Sequence, residues 1–389
     1  MAIDRRGFAR SESALAWLVV LGLAGLVVAF RPPSAAAGGL DEARLTRNLT
    51  LPAGFRINLF AEGLGRARLM VMTGIGDIIL SSPGSKVLLV RRDGDGDGRS
   101  DGVSTLITGL NSPHGLWLDG DWLYIAEEGR ILRAPYDAEG RRITARPGVV
   151  LDDLPDDGGH WTRTIKKGPD GYFYVTIGSS CNICRERHPW RAAMIRFRPG
   201  GRAEIYATGL RNTVGFDWRP ENGALYGVEN GRDMLGDDIP PDELNRIVPG
   251  GFYGWPFYHG GGIRDPDLGR MAPQPATGEA RQIPPAHAFG AHVAPLSIRF
   301  VRHTRAANLK GAALVTQHGS WNRSSKVGYR VVALFWRGDG SIIQRPFLSG
   351  FLKSGGVSGR PVDVIEADDG TLYVSDDYAG AIWRITYRP

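Results

Sequence analysis

The stretch "GPDGYFYVTIG", Gly168 to Gly178, joins a Pro-Asp-Gly turn to aromatic and β-branched residues and then a second glycine. That order predicts a tight turn, a buried strand and another turn. Related fragments recur as "LDGDWLYIAEEG" (118–129), "RPENGALYGVENG" (219–231) and "ADDGTLYVSDDYAG" (367–380). Taking the turn glycines Gly76, Gly120, Gly171, Gly223 and Gly370 as markers, successive gaps are 44, 51, 52 and 147 residues. The last gap holds one more unit plus an insertion, with "APLSIRF" (294–300) and "GAALVTQHG" (311–319) as strands of that unit. Six units at this spacing predict an all-β fold, a six-bladed β-propeller of four-stranded antiparallel blades. "GFRINLFAEGL" (54–64) is expected to close the ring against the last blade, which "AIWRITY" (381–387) completes. An insertion at about 256–290 is expected to lie over one face.

Composition agrees with this architecture. Gly 54 and Pro 25 are about a fifth of 389 residues, with no period of three, and 42% of the chain is hydrophobic. The net charge of +6 is scattered, without basic runs or interleaved aromatics. That argues against nucleic acid and suits an anionic cofactor or an acidic redox partner. The two cysteines, Cys181 and Cys184, lack the following His of a haem attachment site, and two thiolates do not complete a zinc site. They read first as a local disulfide bracing a loop, with a redox or metal role as the alternative.

The N-terminus reads as a targeting segment, residues 1–37, ahead of a propeller over 38–389. Arg5, Arg6 and Arg10 precede a 17-residue apolar run, Ala14 to Phe30, and "SAAAG" offers a cleavage site near Ala37. An uncleaved membrane anchor is the alternative. Either places the body of the protein outside the cytoplasm, in the periplasm or secreted.

Since the repeat is architecture, chemistry is expected in the segments between repeats. His160 stands eight residues before Gly168, after Gly158 and Gly159. Arg211 and Asn212 open the next unit. An acid-rich loop, 228–256, carries Gly231, Arg232 and Asp242 and suits a calcium ion held by oxygens. "QHGSWNRSSKVGYR" (317–330) offers Asn322 and Arg323, and Arg360 precedes the last unit. Read singly, each has a structural alternative, such as a loop ion pair; all but the acid-rich loop together would surround a flat anionic ligand. In "DGDGDGRSDG", Asp93, Asp95, Asp97 and Asp101 take positions 1, 3, 5 and 9 of a calcium loop, but position 12 is Ser104 rather than Glu. A structural calcium turn is expected there, against a plain acidic surface loop.

Six motifs in order then resemble the soluble quinoprotein glucose/sorbosone dehydrogenase family, most closely its sorbosone dehydrogenase-like branch. They are "LPAGFRINLFAEGL", "GHWTRTIKKGPDGYFYVTIGSSCNIC", "GLRNTVGFDWRPENGALYGVENGRD", "DDIPPDELNRIVPGGFYGWPF", "HGSWNRSSKVGYRVV" and "GRPVDVIEADDGTLYVSDDYAGAIWRITY", covering roughly 50–389. The resemblance implies a propeller that binds pyrroloquinoline quinone (PQQ) and Ca2+ and oxidises sugars or related aldehydes, passing electrons to an external acceptor. By resemblance His160 is the base and Asp242 the acid that orients it. Arg211 and Asn212 touch the quinone, and Arg211 also stabilises charge growing on it. Backbone carbonyls around Gly231 and Arg232 hold calcium. Asn322, Arg323 and Arg360 contact the cofactor. The chain departs from the glucose-oxidising branch at Val362, where a second Arg stands, and at "WNR", where that branch has Lys. The rival readings are a calcium-dependent propeller lactonase and a binding propeller without cofactor.

Overall fold

The computed structural model describes residues 39–272, 282–354 and 356–389, all within the compact unit Ala35–Pro389. The predicted leader lies outside the described residues, as do residues 273–281 of the predicted insertion. Among the described residues no helix is long and apolar enough to cross a membrane.

Six antiparallel sheets form the body. Blade one runs Met70–Met72, Ile78–Ser82, Lys86–Val90 and Val103–Ile107. Blade two runs Gly115–Asp119, Trp122–Ala126, Ile131–Asp137 and Gly148–Leu151. Blade three runs Arg163–Lys167, Phe173–Ile177, Ala193–Phe197 and Glu204–Thr208. Blade four has Thr213–Trp218, Leu225–Glu229, Glu243–Ile247 and the two-residue His287–Ala288. Blade five has Pro295–Phe300, Ala313–Gln317, Arg330–Trp336 and Ile342–Leu348. The innermost strand of each blade lies beside that of the next, and blade six returns to blade one. This is the expected six-bladed β-propeller.

Blade six closes the ring. Its inner three strands, Pro361–Glu366, Leu372–Asp376 and Ala381–Tyr387, come from the C-terminus, and its outermost, Phe55–Ala61, from the N-terminal side. Phe55 faces Tyr387 and Leu59 faces Trp383 in the ladder. Leu59, Phe60 and Trp383 are buried, each worth roughly 1.5–3 kcal/mol of transfer free energy, so core packing between these two strands closes the ring.

The opening stretch is the second strand of blade three and its flanking turns. Its strand, Phe173–Ile177, is wholly buried between two other strands, which is why it reads as a continuous apolar and aromatic run. The sixth turn glycine, hidden in the long gap, is Gly311, ahead of Ala313–Gln317. Around the axis the inner strands approach closely. A Cβ on Gly215 would lie 2.6 Å from Ser297 Cα and 2.7 Å from Leu296 O. Only glycine lets blades four and five meet there.

The insertion is longer than the sequence suggests. The chain leaves blade four after Ile247, and Gly251–Phe252 pairs in parallel with the outer strand of blade three. His287–Ala288, placed by the sequence within the insertion, is the outermost strand of blade four. Two residues carry no alternation, so the strand left no pattern in the sequence. Between them lies a hairpin, Tyr258–His259 with Ile263–Arg264.

This topology sorts the loops by face. Turns between first and second strands, and between third and fourth, open on one face. Links between blades, and loops between second and third strands, open on the other. His160, Arg211, Asn212, the 230–242 loop, Asn322, Arg323 and Arg360 all fall on that second face. The aspartate loop at 93–101 lies on the first.

Candidate active site

His160 ends the link from blade two to blade three. Its Nδ1 lies 2.8 Å from the carbonyl oxygen of Ser179 and 3.0 Å from Ser179 Oγ. That hydroxyl donates to Cys181 O at 2.7 Å. Both neighbours therefore present lone pairs, and Nδ1 carries the proton. Nε2 is left as the acceptor. Burial, and then the guanidinium of Arg211, push the His160 imidazole down to about 3, so it is neutral at physiological pH. Gly178, the last residue of the opening stretch, makes room for this. A Cβ there would meet His160 Cβ at 2.6 Å and Asn212 Oδ1 at 2.8 Å.

Asp242 does not orient His160. Its two carboxylate oxygens accept from the backbone N–H groups of Gly231 and Ala294, both at 2.8 Å. Burial pushes its carboxyl up to about 6. The residue pins the 231–242 loop to the start of blade five, and the orienting role passes to Ser179, whose contribution is a backbone carbonyl and a short hydroxyl.

Arg211 is buried, and its guanidinium is engaged by protein acceptors. Nε donates to Asn182 O (3.0 Å), Nη1 to Asn230 O (3.1 Å) and Gly231 O (2.8 Å), and Nη2 to Asn182 Oδ1 (2.8 Å) and Asp233 Oδ2 (3.3 Å). The expectation that these donors point at a cofactor is corrected: the loops of blades three and four converge on them first. Burial lowers the Arg211 pKa, but the group stays charged. Neighbouring Asn212 Oδ1 is buried without a partner. Arg232 turns its side chain to Asp265 (2.7 Å) and Asp267 (2.9 Å), which ties the insertion to this face.

Across the mouth, Arg323 pairs with Asp238 at 2.9 Å and with the carbonyl of Asp237. Its Nε and Asn322 Nδ2 are buried without partners. Trp321 beside them is 70% exposed. Arg360 donates to His318 O (3.2 Å) and Gly319 O (2.8 Å), which leaves it fixed at the start of blade six. Sequence reading missed the group beside it. His318 Nε2 and Asp377 Oδ1 are 2.8 Å apart, and Arg68 Nη1 donates to Asp377 Oδ2 at 2.9 Å. Arg68 also stands 3.4 Å from His114 Nε2. The Asp377 carboxyl is held below the usual range by His318 and Arg68, against the opposing cost of burial. These residues come from four blades and share no motif, so the sequence carried no local signal for them.

Two acids of the acid-rich loop, Glu229 and Glu243, form a buried pair under the insertion. Asn245 Nδ2 donates to Glu229 Oε2 (3.2 Å) and Glu243 Oε2 (3.1 Å). Burial raises both carboxyls. A small pocket beside Arg211 is lined by this pair with His259 and Asp265.

The cysteines are joined as a disulfide, Cys181–Cys184. Of the four aspartates expected to form a calcium turn, Asp93, Asp95 and Asp101 bring carboxylate oxygens within 4.8 Å of one another, and Asp97 stands apart. Asp97 instead accepts from Arg99 N, and Asp93 pairs with Arg384 of blade six at 2.8 Å. The loop thus braces blade one against the closing blade, where Asn58 Nδ2 also donates to Gly98 O at 2.7 Å.

The architecture is similar to that of known proteins. A PQQ-dependent sugar dehydrogenase of Hypocrea jecorina is 27% identical over 336 residues, covering 71% of this chain and 76% of that one. An uncharacterized protein of Borreliella burgdorferi is 29% identical over 362 residues, covering 88% and 92%. The calcium structure of a Trichoderma reesei family AA12 enzyme superposes with a TM-score of 0.74 at 22% identity, covering 91% of this chain and all of that one. The PQQ domain of Coprinopsis cinerea pyranose dehydrogenase gives 0.73 at 19%, covering 90% and 98%. The resemblance to quinoprotein sugar dehydrogenases read from the motifs holds at the level of the family. Residues 49–245 and 272–388 match the TrAA12-like family model, and the chain belongs to that family.

Proposed function

We propose that the chain is a PQQ-dependent dehydrogenase that oxidises a sugar or related aldehyde, of the aldose or sorbosone type, and passes the electrons to an external acceptor. The observation that carries this reading is a set of unsatisfied polar atoms on the His160 face. Asn212 Oδ1, Asn322 Nδ2 and Arg323 Nε are buried and unpartnered. Buried polar atoms ordinarily have partners; carbonyls and carboxylates of a planar ligand would accept from Asn322 Nδ2 and Arg323 Nε, and a ligand N–H or hydroxyl would donate to Asn212 Oδ1. Asn212, Asn322, Arg323 and Arg360 are the residues that would hold it.

Bound there, the quinone supplies a two-electron acceptor for hydride. The rest falls to this chain's residues. Neutral His160, with Nδ1–H committed to Ser179, accepts the substrate hydroxyl proton at Nε2. Arg211 acts through its buried positive charge rather than through free donors, favouring negative charge nearby. An aldehyde reacts as its hydrate or cyclic hemiacetal and leaves as an acid or lactone.

Calcium fits less simply. The Gly231 carbonyl, one of its intended ligands, already accepts from Arg211. A cation there would share that carbonyl with the guanidinium, whose buried positive charge opposes it. The leader sequence and the disulfide support a site of action outside the cytoplasm.

The test is titration of purified protein with PQQ, with calcium or a chelator, followed by absorbance and by dye reduction with a panel of sugars and aldehydes. Saturable binding with substrate-dependent turnover is expected. No binding at micromolar cofactor would sink the reading.

A further inference from the structure

We propose that the loop closed by the Cys181–Cys184 disulfide is the clamp that sets His160 and Arg211 relative to each other, with Asn182 as its positioning residue. The inference rests on the functional reading above.

The Arg211 guanidinium is held by this loop, and the His160 imidazole by Ser179, two residues before it. Ser179 takes His160 Nδ1 on its carbonyl, and its own N–H donates to Arg211 O at 2.7 Å. Three residues on, Asn182 makes five hydrogen bonds with its carbonyl and amide groups. Its carbonyl accepts from Arg211 Nε (3.0 Å) and Trp255 Nε1 (3.3 Å). Its Oδ1 accepts from Arg211 Nη2 and from Asp233 N, both at 2.8 Å, and its Nδ2 donates to Asp233 O at 3.1 Å. The side chain thus joins blade three to Arg211 and the 230–233 loop of blade four, and the backbone carbonyl adds the insertion through Trp255. Ser180 N and Oγ donate to Glu186, at 2.7 and 2.8 Å, which anchors the far side of the loop.

The disulfide fits this local role. It spans a sequence separation of three, and short loops gain least from closure in the unfolded chain. The sheet of blade three is complete without it. What the bridge constrains is the Asn182 backbone, whose carbonyl and side chain must both face the Arg211 guanidinium. A dithiol reductant would pass two electrons and two protons into the bridge, giving two thiols and the oxidised reductant. The loop would then be free to turn Asn182 away.

The test uses the full chain in two forms. In cofactor-free protein, hydrogen–deuterium exchange is read over 178–184, 211–213 and 230–233, before and after reduction and in Asn182→Leu. Roughly tenfold faster exchange is expected there, as for one lost net hydrogen bond, with blade cores unchanged. In cofactor-loaded protein, Asn182→Leu is expected to lower kcat on the order of 10- to 100-fold with a smaller change in KM. Asn182→Asp keeps acceptors for Arg211 and Asp233 N and is expected to recover part of that loss, which a purely structural role would not predict. Unchanged exchange in both Asn182→Leu and the reduced protein would overturn the clamp. So would global melting of the propeller on reduction, because the bridge would then serve the fold rather than the site. If wild-type protein shows no cofactor-dependent turnover, the functional reading fails, while the exchange result still decides the clamp.

Discussion

His160 Nδ1 stands 2.8 Å from the Ser179 carbonyl, and this contact decides which ring nitrogen can take a proton. A carbonyl only accepts, so Nε2 is the lone-pair nitrogen facing away from the loop. His160→Ala is expected to cut kcat by about 10²–10⁴-fold, the range of a general base, with PQQ binding retained. Loss of both together would make His160 a cofactor contact instead. The measurement is steady-state kinetics beside a binding titration.

The unpartnered atoms give a second prediction. Asn322→Ala removes a buried N–H group that has no protein acceptor. Folding stability is expected to hold or rise slightly, since an unsatisfied buried donor is lost. PQQ affinity is expected to fall about tenfold, or ~1–2 kcal/mol. Calorimetric titration and thermal melting read the two effects separately, and a variant that binds PQQ as tightly as wild type takes Asn322 out of the site.

Asp242 predicts a pH dependence of stability. Burial raises its carboxyl from 3.8 to about 6 in the folded chain. The folded state therefore holds this proton more tightly than the unfolded state. The stabilisation is full below about pH 4 and is lost as pH rises through about 6. Asp242→Asn carries no such proton. Its stability relative to wild type should rise between pH 4 and pH 7 by on the order of 3 kcal/mol. Denaturant melts at the two pH values check this, and a flat difference would mean the carboxyl titrates normally.

The join between blades four and five predicts a packing effect. Gly215→Val places its Cβ 2.6 Å from backbone in Pro295–Phe300, which has no flexible end to move. The expected loss is roughly 2–3 kcal/mol, the cost of overpacking a filled core, read as a lower urea midpoint. The same change at Gly148, where nothing lies within 4 Å of the new Cβ, should cost far less.

The sequence by itself determined the ring. Each buried second strand needed its own apolar run and each turn its glycine, so "GPDGYFYVTIG" and its copies counted the blades. Local pattern also placed His160, Arg211, Asn212, Asn322, Arg323 and Arg360 in links and loops, and topology then put them all on one face. The tertiary structure decided what those residues touch. Ser179 holds the base through a backbone carbonyl, which every residue type carries, so no letter in the sequence marks it. Arg211 is saturated because loops from two blades, one of them closed by a disulfide, meet at its guanidinium, and Asp242 is diverted to two backbone amides 63 residues apart. The aspartates at 93–101 read as calcium ligands by spacing; the fold brings Asp93, Asp95 and Asp101 together without Asp97, on the other face, where Asp93 also pairs with Arg384 of the closing blade. A strand announces itself through its own burial. A hydrogen bond between distant loops depends on where the closed ring brings them.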